Sequence, residues 1–172
     1  MQLGQTIGGR FVLESLAGRG GMGEVYRAVE RATGREVAIK VLVETRVKSP
    51  SSVRERFERE WRVMQGIVHP NVVALLDWPQ RGGGPLFFAM ELLDGETLYQ
   101  RLEREKMPLD HALDLFDQLA HGLSAVHAAG IVHRDVKPQN IYLCDGRVGD
   151  ARPFTAKLLD FGLARVAGSQ IT

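Results

Sequence analysis

His133-Arg134-Asp135-Val136-Lys137-Pro138-Gln139-Asn140 is the stretch on which the reading of this chain turns, and Asp160-Phe161-Gly162 begins twenty residues after its last member. Pro138 stands between Asp135 and Asn140, so the segment cannot be a regular helix and favours a rigid loop. In such a loop Asp135 can accept or orient a hydroxyl proton, and Asn140 can offer a carbonyl oxygen to a hard divalent cation. Lys137 can stabilise a transferring phosphoryl group. Asp160 follows the apolar run Lys157-Leu158-Leu159 and precedes a glycine that lets the chain turn, a placement that suits a metal ligand. Any one of these is equally a loop with a satisfied Asp. Their joint occurrence, in this order, points to phosphoryl transfer.

Upstream, Pro108-Leu109-Asp110 opens a long helix that runs to about Ala129 and is closed by Gly130. Its apolar residues span an arc of roughly 160°, wider than the stripe of about 100° usual for a surface helix. Such a helix wants cover on more than one side, so an exposed face would favour self-association. Thr97 to Arg104 reads as a short helix and Leu92 to Gly95 as a hinge. Before the hinge strands dominate: Arg10 to Leu16, Glu24 to Val29, Glu36 to Val43, Val72 to Leu76 and Pro85 to Glu91. Ser49-Pro50-Ser51-Ser52 starts one helix, from about Val53 to Gly66. Glu60 falls inside its apolar arc, where a carboxylate needs a cationic partner unless it reaches solvent at the edge.

Gly18-Arg19-Gly20-Gly21-Met22-Gly23 lies between the first two of these strands, with Val25 close behind. Glycines so spaced let backbone N–H groups approach phosphates. Read alone, the pattern serves equally as a hairpin turn. A strand follows it rather than a helix, which argues against a dinucleotide site. Val37-Ala38-Ile39-Lys40 ends an apolar strand in a lysine. Alone it could point to solvent; paired with Glu60 it becomes a fixed cation able to neutralise phosphate oxygens.

The bulk numbers narrow the field. The chain has 172 residues, 44% hydrophobic and 25% charged, with 22 basic and 21 acidic side chains. A net charge of +1 gives no electrostatic case for nucleic acid or an anionic membrane. The single cysteine, Cys144, excludes an intrachain disulfide. No signal peptide is read in the first residues, and the apolar runs are far too short to span a bilayer, so the expected compartment is the cytosol.

Taken together these residues resemble the eukaryotic-type (Hanks-type) serine/threonine protein kinase catalytic domain, from about Arg10 to Arg165. The resemblance implies an α+β fold: a five-stranded antiparallel N-lobe with one helix over residues 10–93, then the first, mostly helical part of a C-lobe over residues 94–172. It implies ATP and magnesium as cofactors and a protein with a Ser or Thr hydroxyl as partner. Gly18, Gly20 and Gly23 resemble the phosphate-covering loop. Lys40 resembles the phosphate-anchoring lysine and Glu60 its partner. Val25, Ala38 and Tyr142 are counted with the residues around the adenine, Met90 with the gatekeeper, and Glu91 to Leu93 with the hinge. Asp135 and Lys137 take the catalytic roles, Asn140 and Asp160 the metal-ligand roles, in one cleft between the lobes. His133 is expected to be structural. Arg134 resembles the arginine that pairs with an activation-loop phosphate, for which Ser169 and Thr172 are candidate acceptors.

Two departures accompany the resemblance. Asp145 to Pro153 is an extended hairpin insertion. The chain also stops short of an A-P-E segment, so a kinase truncated in its activation loop is expected. Two other readings follow: a catalytically impaired nucleotide-binding or regulatory module, and a small-molecule phosphotransferase. The latter typically lacks the Lys-Pro pair and the full glycine turn present here.

Overall fold

The computed structural model describes residues 1–19, 23–42, 61–62, 64–77, 85–146, 152–159 and 165–166. Gly20, Glu60, Asp160, Ser169, Thr172 and most of the expected helix from Val53 lie outside the described residues. The chain divides into two compact units, Met1–Trp61 with Leu75–Leu92, and Arg62–Ala74 with Leu93–Thr172.

The first unit is built on a sheet of β1 (Thr6–Ile7), β2 (Phe11–Arg19), β3 (Gly23–Glu30), β4 (Glu36–Leu42), β5 (Leu75–Asp77) and β6 (Phe87–Glu91). Its order is β1-β2-β3-β4-β6-β5, and every pairing is antiparallel. The expected five strands are therefore six. The addition, β1, is too short for its alternation to register in the sequence. Gly8 and Gly9, both at positive φ, fold it back onto Phe11 and Val12.

Registered neighbours share a face, so the sheet sorts its side chains cleanly. Ile39 lies opposite Tyr26 and Ala89, and with Leu13, Val37, Val41 and Phe87 these form a buried core on one face. Phe11 meets Phe87 edge-on at 6.1 Å. The other face carries Val25 opposite Lys40, and Ala38 opposite Met90. Leu42, Leu86 and Phe88 form a second buried cluster, packed by Trp61, Leu75 and Met90. Arg10 pairs with Glu30 and Asp77, tying the ends of β3 and β5 to the start of β2.

The expected strand from Val72 to Leu76 needs correction. Only Leu75–Asp77 joins this sheet. Val72 forms a parallel bridge with Leu158, and the Val73 N–H donates to the Leu158 carbonyl at 3.0 Å. Two apolar valines found a buried site elsewhere, and period-two alternation could not say which partner they would choose.

The second unit holds β7 (Gly95–Thr97), α1 (Leu98–Arg104), α2 (Leu109–Ala128), β8 (Ile131–Val132), β9 (Ile141–Asp145), β10 (Phe154–Leu158) and β11 (Arg165–Val166). Sheet order β10-β9-β7 corrects the hinge reading: Gly95 leaves the hinge and pairs with Cys144 in a strand. Thr97 caps α1 through a reciprocal box with Gln100. β9 and β10 alternate buried and half-buried residues, with Ile141 opposite Leu158 and Leu143 opposite Ala156. Asp145 faces Phe154, as expected for the stem of an extended hairpin. α2 buries Leu115, Gln118, Leu119, Gly122 and Val126. Its Leu109, Leu113 and Phe116 stand 76%, 62% and 67% exposed, so one edge of the wide apolar arc has no cover among the described residues.

Candidate active site

Each unit contributes residues that the sequence singled out. On the second face of the first sheet, Lys40 sits at the centre of three strands, between Val25 and Phe88. Lys40 is only 9% exposed, with Nζ 5.6 Å from the Phe88 ring centroid. A lysine so enclosed holds its charge in a fixed place rather than sweeping solvent. Val25, Ala38 and Met90 share that face, and Glu91 ends β6 opposite Val37.

The two described glycines of the glycine-rich stretch, Gly18 and Gly23, differ in their surroundings. A Cβ built on Gly23 would lie 2.2 Å from the Val41 carbonyl oxygen, so the closeness of β4 demands glycine there. Gly18 has no such contact among the described residues. At the strand end, buried Glu24 accepts from the Tyr26 hydroxyl at 2.6 Å and pairs with Arg19 at 3.3 Å. Burial, reinforced by that carboxylate, raises the pKa of Tyr26.

In the second unit one carboxylate oxygen gathers the loop after β8. Asp135 Oδ2 accepts from Lys137 Nζ at 2.7 Å and from Asn140 Nδ2 at 2.9 Å. Asn140 Nδ2 also donates to the Asp135 carbonyl at 2.8 Å. Pro138 opens a single turn of 3₁₀ helix, closed by the Asn140 N–H on the Lys137 carbonyl at 2.9 Å. Arg134 is the only non-glycine described residue at positive φ, 63°, and that kink precedes Asp135 directly. His133 is almost wholly buried, and one tautomer satisfies two bonds at once: Nε2 donates to the Leu159 carbonyl at 2.9 Å, and Nδ1 accepts the Asp135 N–H at 3.3 Å. The expectation of a structural histidine matches this geometry.

Asn140 commits its amide nitrogen to Asp135, and its Oδ1 takes no hydrogen bond among the described residues. An amide oxygen left so is a donor of the kind a hard cation accepts; the second expected ligand, Asp160, lies outside the described residues. Lys137 is 47% exposed, so its pair with Asp135 adds little stability; what it sets is position.

Tyr142 lies on β9, and its hydroxyl donates to the Gly95 carbonyl at 2.8 Å. Burial raises its pKa. Sequence reading missed two features here: this tie, and the buried amides Asn71 and Gln118. Gln118 left no signal, because at helical spacing it falls roughly 60° outside the apolar arc of α2, among polar positions. Among the described residues no helix is long and apolar enough to cross a membrane.

A face of sheet carrying an enclosed lysine, followed in the chain by a loop that folds a lysine and an asparagine onto one aspartate, defines the class: the chain belongs to the protein kinase family. The family description, protein kinase domain, matches residues 11–172. Among curated proteins, serine/threonine-protein kinase pkn2 of Myxococcus xanthus is 42% identical over 161 residues, which is 94% of this chain and 19% of that protein. Serine/threonine-protein kinase pkn3 of the same organism is 38% identical, over 97% of this chain and 30% of its own length. Serine/threonine-protein kinase PknA of Mycobacterium tuberculosis (strain ATCC 25618 / H37Rv) is 38% identical, over 95% of this chain and 37% of its own length. The chain thus spans between about a fifth and two fifths of the curated relatives it matches.

Proposed function

We propose that this chain is the catalytic region of a serine/threonine protein kinase that transfers the γ-phosphoryl of ATP to a Ser or Thr hydroxyl of a protein. Family membership and the printed names of the relatives support the reaction class. The observation that carries it is the convergence of Lys137 and Asn140 on Asp135.

In this reading Asp135 orients the acceptor hydroxyl and takes its proton as the new P–O bond forms and the bond from the γ-phosphorus to the bridging oxygen breaks. Lys137 steadies charge on the transferring group. Lys40 holds the α- and β-phosphates, with Glu60 as its proposed partner. Val25, Ala38, Met90, Glu91, Leu93 and Tyr142 serve the adenine, and Gly18, Gly20 and Gly23 the phosphates. Asn140 and Asp160 would hold magnesium, which when bound neutralises phosphate charge. The exposed edge of α2 is proposed as a face for self-association.

Incubation of the chain with γ-labelled ATP, magnesium and a basic protein tests the proposal. Label on Ser or Thr is expected, and Asp135→Asn should cut transfer about 10²- to 10⁴-fold while leaving ATP binding intact. Undiminished transfer by Asp135→Asn would remove Asp135 from its role. Binding without incorporation by the unaltered chain would favour a nucleotide-binding module instead.

A further inference from the structure

Four hydrogen bonds meet at Gln118, which lies 1% exposed in the middle of α2. Its Oε1 accepts from Asn71 Nδ2 at 3.0 Å and from the Ala156 N–H at 2.8 Å. Its Nε2 donates to Asp114 Oδ2 at 2.8 Å and to the Phe154 carbonyl at 3.3 Å. Both lone pairs and both N–H groups are thus used, with partners on three separate segments.

Asn71 repeats the pattern. Its Nδ2 also donates to the Ala156 carbonyl at 2.8 Å, and its own carbonyl accepts the Leu158 N–H at 2.9 Å. The helix can come this close only because residue 122 is glycine. A Cβ there would lie 2.8 Å from the Asn71 carbonyl oxygen.

β10 is therefore held at Phe154 and Ala156 by two amide side chains and at Leu158 by the Asn71 main chain, and it does not end in a neutral place. Leu158 pairs with Ile141, the residue after Asn140. The Leu159 N–H donates to the Asn140 carbonyl at 2.8 Å, and the Leu159 carbonyl accepts from His133. Asp160 comes next in the chain.

The geometry points to Gln118 as a positioning residue: with Asn71 it sets β10, and through Leu158 and Leu159 it sets where Asn140 presents its oxygen. The inference rests on the reading of Asn140 as a magnesium ligand. Core packing alone would be served equally by an apolar side chain of this size. A fully satisfied buried amide instead fixes one register of β10 against α2, since a shifted strand strands its polar atoms.

The test uses Gln118→Met, which keeps the volume and removes all four bonds, and Asn71→Ser, a milder change that leaves the backbone bonds. Two quantities are read in the full chain: the magnesium dependence of ATP binding by calorimetry, and amide exchange at Leu158 and Leu159 by NMR. Both variants are expected to need about tenfold more magnesium for half-maximal stimulation of binding, the scale of losing a supporting partner behind a metal ligand. Affinity for ATP without magnesium should hold, and the Leu159 amide should lose protection. An unchanged magnesium requirement with unchanged Leu159 exchange would overturn the inference, even if the melting temperature fell. Should Gln118→Met fail to fold, Asn71→Ser decides. If the unaltered chain binds no ATP, the kinase reading falls, and exchange at Leu159 still decides whether this junction positions the loop.

Discussion

Glu96 shows how a single side chain is tuned by its neighbours. Arg104 and then Arg101 hold its carboxyl below the ordinary carboxylate range, at 2.8 Å and 2.5 Å. The sign follows from linkage. A carboxylate whose pKa is lower in the folded state contributes stability that is complete above its unfolded value and is lost as pH falls through the folded value. Thermal melts between about pH 6 and pH 3, a window that brackets the ordinary Glu value, are therefore expected to fall more steeply for the unaltered chain than for Glu96→Gln. Parallel curves would deny the group this role. Glu30 is held down in the same sense by Arg10. The site residues Asp135, Lys137 and Asn140 were legible because five positions of sequence bring them together locally. The ties from Gln118 to Asn71 and from Tyr142 to Gly95 were not, because each joins residues 47 apart in the chain.

Within α2 the two faces make opposite demands. Leu119 is buried at 6% exposure, and Leu119→Ala should cost about 2–5 kcal/mol by loss of burial and the cavity left behind. Leu113 is 62% exposed on the same helix, and Leu113→Lys should stay within about 0.5 kcal/mol. Urea denaturation of the two variants checks the contrast; equal losses would mean that the helix is buried on both sides. The span of α2 was readable from a proline start, a glycine stop and helical periodicity. The six-stranded sheet was readable in its long strands and not in β1, whose two residues carry no pattern. Val72 and Val73 carried the apolar signal of a strand, but a parallel bridge to Leu158 depends on a distant partner.

At the scale of the whole molecule, the first unit fixes an enclosed lysine on a sheet and the second fixes an aspartate-centred loop beneath a helix. Neither alone would serve the proposed phosphoryl transfer, and the order of their motifs along the chain makes the family legible in the sequence. The kinase proposal requires Lys40 and Asn140 to serve the same ATP. Titration of the chain with ATP, with and without magnesium, measures this most directly. One ATP per chain is expected, with Lys40→Met weakening binding with or without magnesium and Asn140→Ala weakening it only when magnesium is present. Binding that both substitutions leave untouched, or no binding at all by the unaltered chain, would contradict the account.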